Sequence, residues 1–166
     1  LLHNADKPDI VAECAQKAKK SGEYLVSIIN DVLDLSRIES GKLRLSHTAF
    51  DMKELLDTVV QLEVYPASEK ALTFRLDCPE KFHSGFLGDA VRIKQCLINL
   101  ISNAIKFTPE QGNVTLTYRE QMEDDNYIGV YFMVEDTGIG MSEEFMKQMF
   151  HPFEQEQPSL TSTHVG

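Results

Sequence analysis

Between Asp9 and Glu39 only Gly22 weakens a continuous helix. Small or apolar residues recur there every seven positions, at Val11, Ala18, Leu25 and Val32, and again at Cys14, Ser21, Ile28 and Leu35. This is a heptad seam, weak at its start and strong at its end, widened by Ile29, Leu33 and Ile38. A helix of about 30 residues is about 45 Å long, which exceeds the width of a small domain. It is expected to pack against other helices in a bundle; the competing reading is one amphipathic helix on a globular core. Residues 1–8 read as the end of an earlier element and a turn, with Asp6 or Asp9 as a cap and Pro8 near the first turn. Gly41 is the expected stop.

After Gly41 the period changes, which places the domain boundary between 41 and 42. Lys42–Ser46 alternates as a strand does, and Asp51 caps a short helix carrying Met52, Leu55, Leu56, Val59, Val60 and Val64. Leu72–Leu76 alternates again, and Phe86-Leu87-Gly88 is a short strand leading to Asp89, which opens a second long helix to Phe107. Val114–Tyr118 and Tyr127–Glu135 read as a hairpin around the acidic turn Glu123-Asp124-Asp125-Asn126. A short helix with Phe145, Met146 and Met149 follows, then a polar tail over 154–166 expected to be mobile. Mixed elements with an antiparallel hairpin favour an α+β fold over a doubly wound sheet.

Charge excludes several function classes. Sixteen basic residues stand against 26 acidic ones, a net charge of −10. Such a chain is a poor binder of nucleic acid or anionic lipid, both of which need Lys and Arg to neutralise phosphate. No apolar run approaches the roughly 20 residues that span a bilayer. Cys14, Cys78 and Cys96 are odd in number and lack metal-type spacing, and no secretory pattern opens the chain. The expected compartment is therefore reducing and cytoplasmic, with any membrane anchor of a parent protein lying in other segments.

The helix from Asp89 to Phe107 carries a polar stripe. At 100° per residue, with Asn99 at zero, Arg92 falls near about +20°, Gln95 near −40°, Asn103 near +40° and Lys106 near −20°. Ile93, Leu97, Leu100, Ile101 and Ala104 lie opposite and are expected to face a sheet. A plain solvated face is the simpler reading, but two Asn inside a helix cost on the order of several tenths of a kcal/mol each against better helix formers. Carbonyl oxygens one turn apart, with Lys and Arg beside them, suit a magnesium–polyphosphate group.

A second feature is Val134-Glu135-Asp136-Thr137-Gly138-Ile139-Gly140-Met141. An apolar strand delivers an acid, then two glycines that admit close backbone approach. The carboxylate could accept a hydrogen bond from an exocyclic amine. An ordinary hairpin turn is the plainer alternative, and Asp-Thr-Gly also occurs in aspartic proteases, which need two such carboxylates. No Walker A sequence occurs, so any nucleotide binds without a P-loop.

Together these features resemble the sensor histidine kinases, within the wider group that includes DNA gyrase and the heat-shock ATPase chaperones. Asn99-Leu100-Ile101-Ser102-Asn103-Ala104-Ile105-Lys106-Phe107-Thr108 is similar to that family's N box, with Gly88-Asp89 through Arg92 and Gln95 as its lead-in. Asp136–Gly140 resembles the G1 box and Phe150–Gln155 the F box. Asn30–Gly41 resembles the end of the second dimerisation helix. The resemblance covers nearly the whole chain, and the motifs keep the family's order and spacing.

The resemblance implies a helical-hairpin remnant of a dimerisation bundle over 1–41, then an ATP-binding two-layer α/β sandwich with a mixed sheet (the Bergerat fold) over 42–166. It implies ATP and Mg²⁺ as ligands. Asn103 would ligate Mg²⁺ with Asn99 beside it, and Lys106 and Arg92 would contact phosphates. Asp136 would select adenine, and Gly138 and Gly140 would admit the base. Phe150 and Phe153 would anchor an ATP lid, plain core packing being equally open for these two. The implied activity is transfer of the γ-phosphoryl group to a histidine of the dimerisation domain, for relay to a response-regulator aspartate. The implied partners are a second copy through the helix and a receiver domain.

In gyrase-like ATPases a water-activating Glu stands one turn before the metal-binding Asn; here Asn99 stands there, and an amide takes up no proton. A hydrolytic ATPase of the same group and a catalytically silent binding module remain the alternatives. The sequence departs from the family at both ends. A His–acid phosphoacceptor motif is not among these residues, His3 reading as a surface histidine, and of the final glycine-rich G2 box only Gly166 could belong. The piece alone is therefore not expected to label itself.

Overall fold

The computed structural model describes residues 8–122 and 128–151. The chain divides into two compact units, Leu1–Ser46 and His47–Gly166. The described part of the first is one helix, α1, over Pro8–Glu39. The expected turn at residues 1–7 and the polar tail lie outside the described residues, as does the tip of the hairpin. Helix α1 ends on Gly41 at φ +64°. Gly41 N–H donates to Ile38 O (3.0 Å) and Lys42 N–H to Arg37 O (2.9 Å). These bonds close the helix in the left-handed manner that glycine favours.

That ending accounts for one expectation the structure overturns. Lys42–Ser46 is not a strand. The N–H groups of Lys42 and Leu43 both donate to Arg37 O, completing the helix end, and are withdrawn from any ladder. The first strand instead is β1, Thr48–Asp51.

In the second unit α2 (Met52–Glu69) follows, then β2 (Thr73–Asp77), β3 (Gly85–Gly88), α3 (Ala90–Phe107), β4 (Asn113–Met122), β5 (Ile128–Asp136) and α4 (Glu143–Gln148). Strands β1 and β3 pair antiparallel, with the Phe50 and Phe86 rings stacked 6.1 Å apart. The other sheet has the order β2-β4-β5; β2 runs parallel to β4, and β4 antiparallel to β5. The parallel pair needs a crossover, and α3 lies within it. The sheet is mixed and the fold α+β.

Each helix start in the second unit has its reason in one residue. Asp51 accepts Glu54 N–H at 3.1 Å, Asp89 accepts Arg92 N–H at 3.1 Å, and Ser142 accepts Phe145 N–H at 3.2 Å. Helix α2 is longer than expected and continues through Pro66 to Glu69. It buries Met52, Leu55, Leu56, Val59 and Ala67 against α3 and β2, which holds the last turn although proline removes one of its hydrogen bonds. From α3 come Leu97, Ile101, Ala104 and Ile105, and from β4 Val114, Leu116 and Tyr118, all buried. Fully burying a Leu or Ile contributes roughly 1.5–3 kcal/mol, so this cluster fixes α3 on the sheet. Among the described residues no helix is long and apolar enough to cross a membrane.

Far along β4, Tyr118 donates to Glu120, whose carboxylate also accepts the backbone N–H of His83 (3.1 Å) and pairs with His83 Nδ1 (2.8 Å). Burial, then the bond to Glu120, pushes the Tyr118 phenol well above its ordinary range. Burial opposes ionisation of Glu120, but the bonds from His83 and Tyr118 outweigh it and hold the carboxyl below its ordinary value. This chain pins the segment before β3 to the sheet. Glu120 and His83 line an open cavity of about 280 Å³ with Lys81 and Phe82, and none of the nucleotide-motif residues lines it.

Candidate functional site

Helix α3 presents its two faces largely as the 3.6-residue period requires. Asn99, Asn103 and Lys106 are exposed on one side, while Leu97, Ile101 and Ala104 are buried on the other. Arg92 and Gln95 are half-buried, and the Arg92 guanidinium donates to Gln95 Oε1 at 2.8 Å. The Lys106 ammonium lies 4.9 Å from the centre of the Phe107 ring. One expectation fails: Leu100 does not face the sheet and is 54% exposed. Ile105 takes the buried place, because the sheet contacts a stripe centred opposite Asn99 and Leu100 sits at its edge.

The Asp136 turn is built from three contacts. Thr137 N–H donates to Asn113 O (3.1 Å) while Asn113 N–H donates back to Thr137 Oγ1 (2.9 Å), extending the β4–β5 ladder by one reciprocal pair. Gly138 N–H donates to Asp136 Oδ1 at 2.8 Å, which orients the carboxylate and leaves its other oxygen without a hydrogen bond among the described residues. Ile139 N–H donates to Phe107 O, the end of α3, at 3.3 Å. That last bond sets the acid-bearing turn against the helix that carries Asn103 and Lys106.

Gly138 sits where a side chain has no room. A Cβ there would lie 2.5 Å from Asp136 Oδ1 and 2.7 Å from Phe107 O. Gly140 has φ +69° and leads to the exposed Ile139 and Met141 flank of the turn. Phe150, just after α4, is 88% exposed, so it does not pack in the core; Phe153 lies outside the described residues. Thr137 stands in the motif, but the part its hydroxyl plays leaves no local signature, because its partner Asn113 is 24 residues away.

Residues 88–166 match the family described as histidine kinase-, DNA gyrase B- and HSP90-like ATPase. The catalytic domain of the histidine kinase ThkA is 30% identical and superposes with a TM-score of 0.55, over 66% of this chain and 70% of that one. The chain belongs to the histidine kinase family. Full-length ShkA in complex with AMPPNP matches this chain at 31% identity and a TM-score of 0.66, over 81% of this chain and 28% of that one. ThkA in complex with the response regulator TrrA matches at 26% identity and a TM-score of 0.56, over 93% of this chain and 48% of that one. The curated histidine kinase BarA of Escherichia coli is 34% identical over 148 residues, 89% of this chain. The chain spans 16% of the length of BarA.

Proposed function

We propose that the second unit binds Mg²⁺·ATP along α3 and presents it for transfer of the γ-phosphoryl group to a protein histidine. The observation that carries this reading is the Ile139–Phe107 bond, which sets the Asp136 turn against the C-terminal end of α3, the helix that carries Asn99, Asn103 and Lys106. The donor set fits the ligand. Two exposed amide oxygens one turn apart suit a hard cation that keeps waters and phosphate oxygens as its other ligands. Among the described residues no group of three or more His, Cys, Asp or Glu could hold a metal alone, so such an ion would depend on those phosphates. When bound, the nucleotide supplies the phosphoryl group and ADP as leaving group, and the metal neutralises charge on the phosphates.

This chain's own residues bind and orient. Asn103, with Asn99 beside it, would hold the metal. Lys106 and Arg92 would counter phosphate charge, Arg92 having to share its guanidinium with Gln95. Asp136 would accept the adenine amine on the oxygen that Gly138 leaves open, with Gly138 and Gly140 giving the base room. Phe150, exposed just after α4, and Phe153 would anchor a lid. The Asn99 amide takes up no proton, which favours a protein nucleophile over water.

The partners follow the same reading. The exposed apolar residues of α1, from Leu25 to Ile38, would be covered by a second copy in a helical bundle. ThkA assembles with a response regulator, and the parent of this chain would pass its phosphoryl group to the aspartate of such a receiver domain. The expected setting is cytoplasmic.

Calorimetric titration with ATP, with Mg²⁺ and then with a chelator, tests the proposal. Binding heat should depend on Mg²⁺, and Asn103→Ala should remove that dependence. Equal heats with and without Mg²⁺ would contradict it.

A further inference from the structure

Every helix ends with four carbonyls that lack an intrahelical partner. On α3 all four are accounted for, and by different parts of the fold. Ala104 O accepts the Thr108 N–H (3.0 Å) and the Thr108 hydroxyl (2.7 Å). Phe107 O accepts Ile139 N–H from the Asp136 turn. The two carbonyls between them, of Ile105 and Lys106, both accept from one ammonium, Lys70 Nζ, at 2.8 Å and 2.7 Å.

Lys70 is delivered there by an unusual helix end. It is the residue that closes α2, with Lys70 N–H on Ala67 O, Ala71 N–H on Ser68 O and Leu72 N–H on Ala67 O. That pattern places the next residue in the left-handed region, and here the residue is Ala71 at φ +53°. The strained turn is held from the α3 side. Gln111 N–H donates to Ala71 O at 3.1 Å, and Thr73 N–H donates to Gly112 O at 2.9 Å. The end of α2 and the end of α3 are thus stitched together by backbone on both flanks of the ammonium.

We propose that Lys70 is a positioning residue of the nucleotide site, acting through the last turn of α3 without touching the nucleotide. The proposal rests on the reading of α3 as one wall of that site. A cation at a helix C-terminus is favoured by the helix dipole, and an ammonium can direct two of its three donors at adjacent carbonyls. Without it those carbonyls lose their partners, and a helix end so exposed opens readily. Lys106 lies in that turn, and the Asp136 turn leans on its final carbonyl. Fraying here disturbs the phosphate-side lysine and the adenine-side acid together, and each opening lowers the fraction of molecules ready to bind.

The test compares Lys70→Met, Lys70→Arg and a control, Phe82→Leu, in the full 166-residue chain. Phe82 packs its ring 5.0 Å from Tyr118, among residues the nucleotide reading does not use. Two quantities are read: amide hydrogen exchange at Thr108 and Ile139, and the Kd for Mg²⁺·ATP. Lys70→Met keeps the length of the side chain and loses its donors. It should speed exchange at both amides by about tenfold and weaken ATP by about five- to tenfold. Lys70→Arg should restore both to within about twofold of wild type, since it keeps a charged donor. Phe82→Leu should lower the melting temperature and leave both readings unchanged. Unaltered exchange in Lys70→Met, or a loss of ATP affinity matched by Phe82→Leu, overturns the proposal. A wild-type chain that binds no ATP overturns the nucleotide reading instead, and the exchange readings then decide on their own whether Lys70 fixes the helix end.

Discussion

Helices α1 and α3 are both amphipathic, and the structure treats them in opposite ways. On α3 the apolar stripe is spent inside the unit: Leu97 is 2% exposed and Ile101 is fully buried. What remains outside is the polar stripe of Asn99, Asn103 and Lys106. On α1 much of the apolar seam stays outside, with Leu25 58% and Leu33 49% exposed. The same period therefore has two meanings. Where the apolar face is answered by the chain's own sheet, the polar face is the one the nucleotide proposal uses. Where it is not, the proposal of a helical pair uses the apolar face.

The contrast breaks most sharply at α1. Ile28→Asp puts an unpaired charge into the proposed helical interface, which costs roughly 3–5 kcal/mol when no partner compensates it. Sedimentation should show self-association weakened by at least about a hundredfold, with the melting of the second unit unchanged. Identical sedimentation of wild type and variant would remove the interface from the account. On the α3 side Gly138→Ala should be next in size. The added carbon must displace either the Asp136 carboxylate or the Phe107 carbonyl. Overpacking of this kind costs roughly 1–3 kcal/mol, so ATP should bind on the order of tenfold to a hundredfold more weakly while self-association is untouched.

Two smaller effects lie at helix ends and faces. Helices α1 and α2 close with the same hydrogen-bond pattern, on Gly41 at φ +64° and on Ala71 at φ +53°. A left-handed Cβ costs roughly 1–2 kcal/mol. Ala71→Gly should therefore stabilise the second unit by about 1 kcal/mol, less the added freedom of glycine in the unfolded chain. A rise in melting temperature checks it, and no rise would mean the turn is not strained.

The smallest effect concerns Glu63, which sits on the core face of α2 at 5% exposure. Burial pushes its carboxyl above the ordinary 4.5. A folded-state value above the unfolded one means the folded chain holds the proton more tightly. Stability is then lost as pH rises from the ordinary value through the raised one, and the full penalty stands above it. Urea unfolding should find Glu63→Gln more stable than wild type at pH 7, with the gap closing towards pH 4. A gap independent of pH would contradict this.

Much of the molecule was legible in the sequence because its signals are local. The caps Asp51 and Asp89 and the stop at Gly41 depend on residues within a turn of one another, and the α3 stripe and the β4 and β5 strands show as regular periods along one continuous segment each. The failures are of another kind. Lys42–Ser46 alternates, but its first two N–H groups are already committed to Arg37 O, and no pattern in the segment shows that. Leu100 lies at the edge of the apolar arc, where the width of the contact with the sheet decides burial. The parallel pairing of β2 with β4 joins segments 40 positions apart in register, Thr73 with Asn113. Lys70 reads as any surface lysine near a helix end, since its carbonyl partners come 35 and 36 residues later. What tertiary structure adds to this site is mostly the fastening of α3, and the fastening is what the sequence conceals.

If α3 and the Asp136 turn together form one adenine-selective nucleotide site, competition between two purine nucleotides will show it. Guanine presents a carbonyl where adenine presents its amine, so the Asp136 carboxylate should repel the one and accept from the other. With Mg²⁺ present, the wild-type chain should prefer ATP to GTP by at least about tenfold, and Asp136→Asn should erase most of that preference. Equal affinities in the wild type, or a preference that survives Asp136→Asn, would contradict the account.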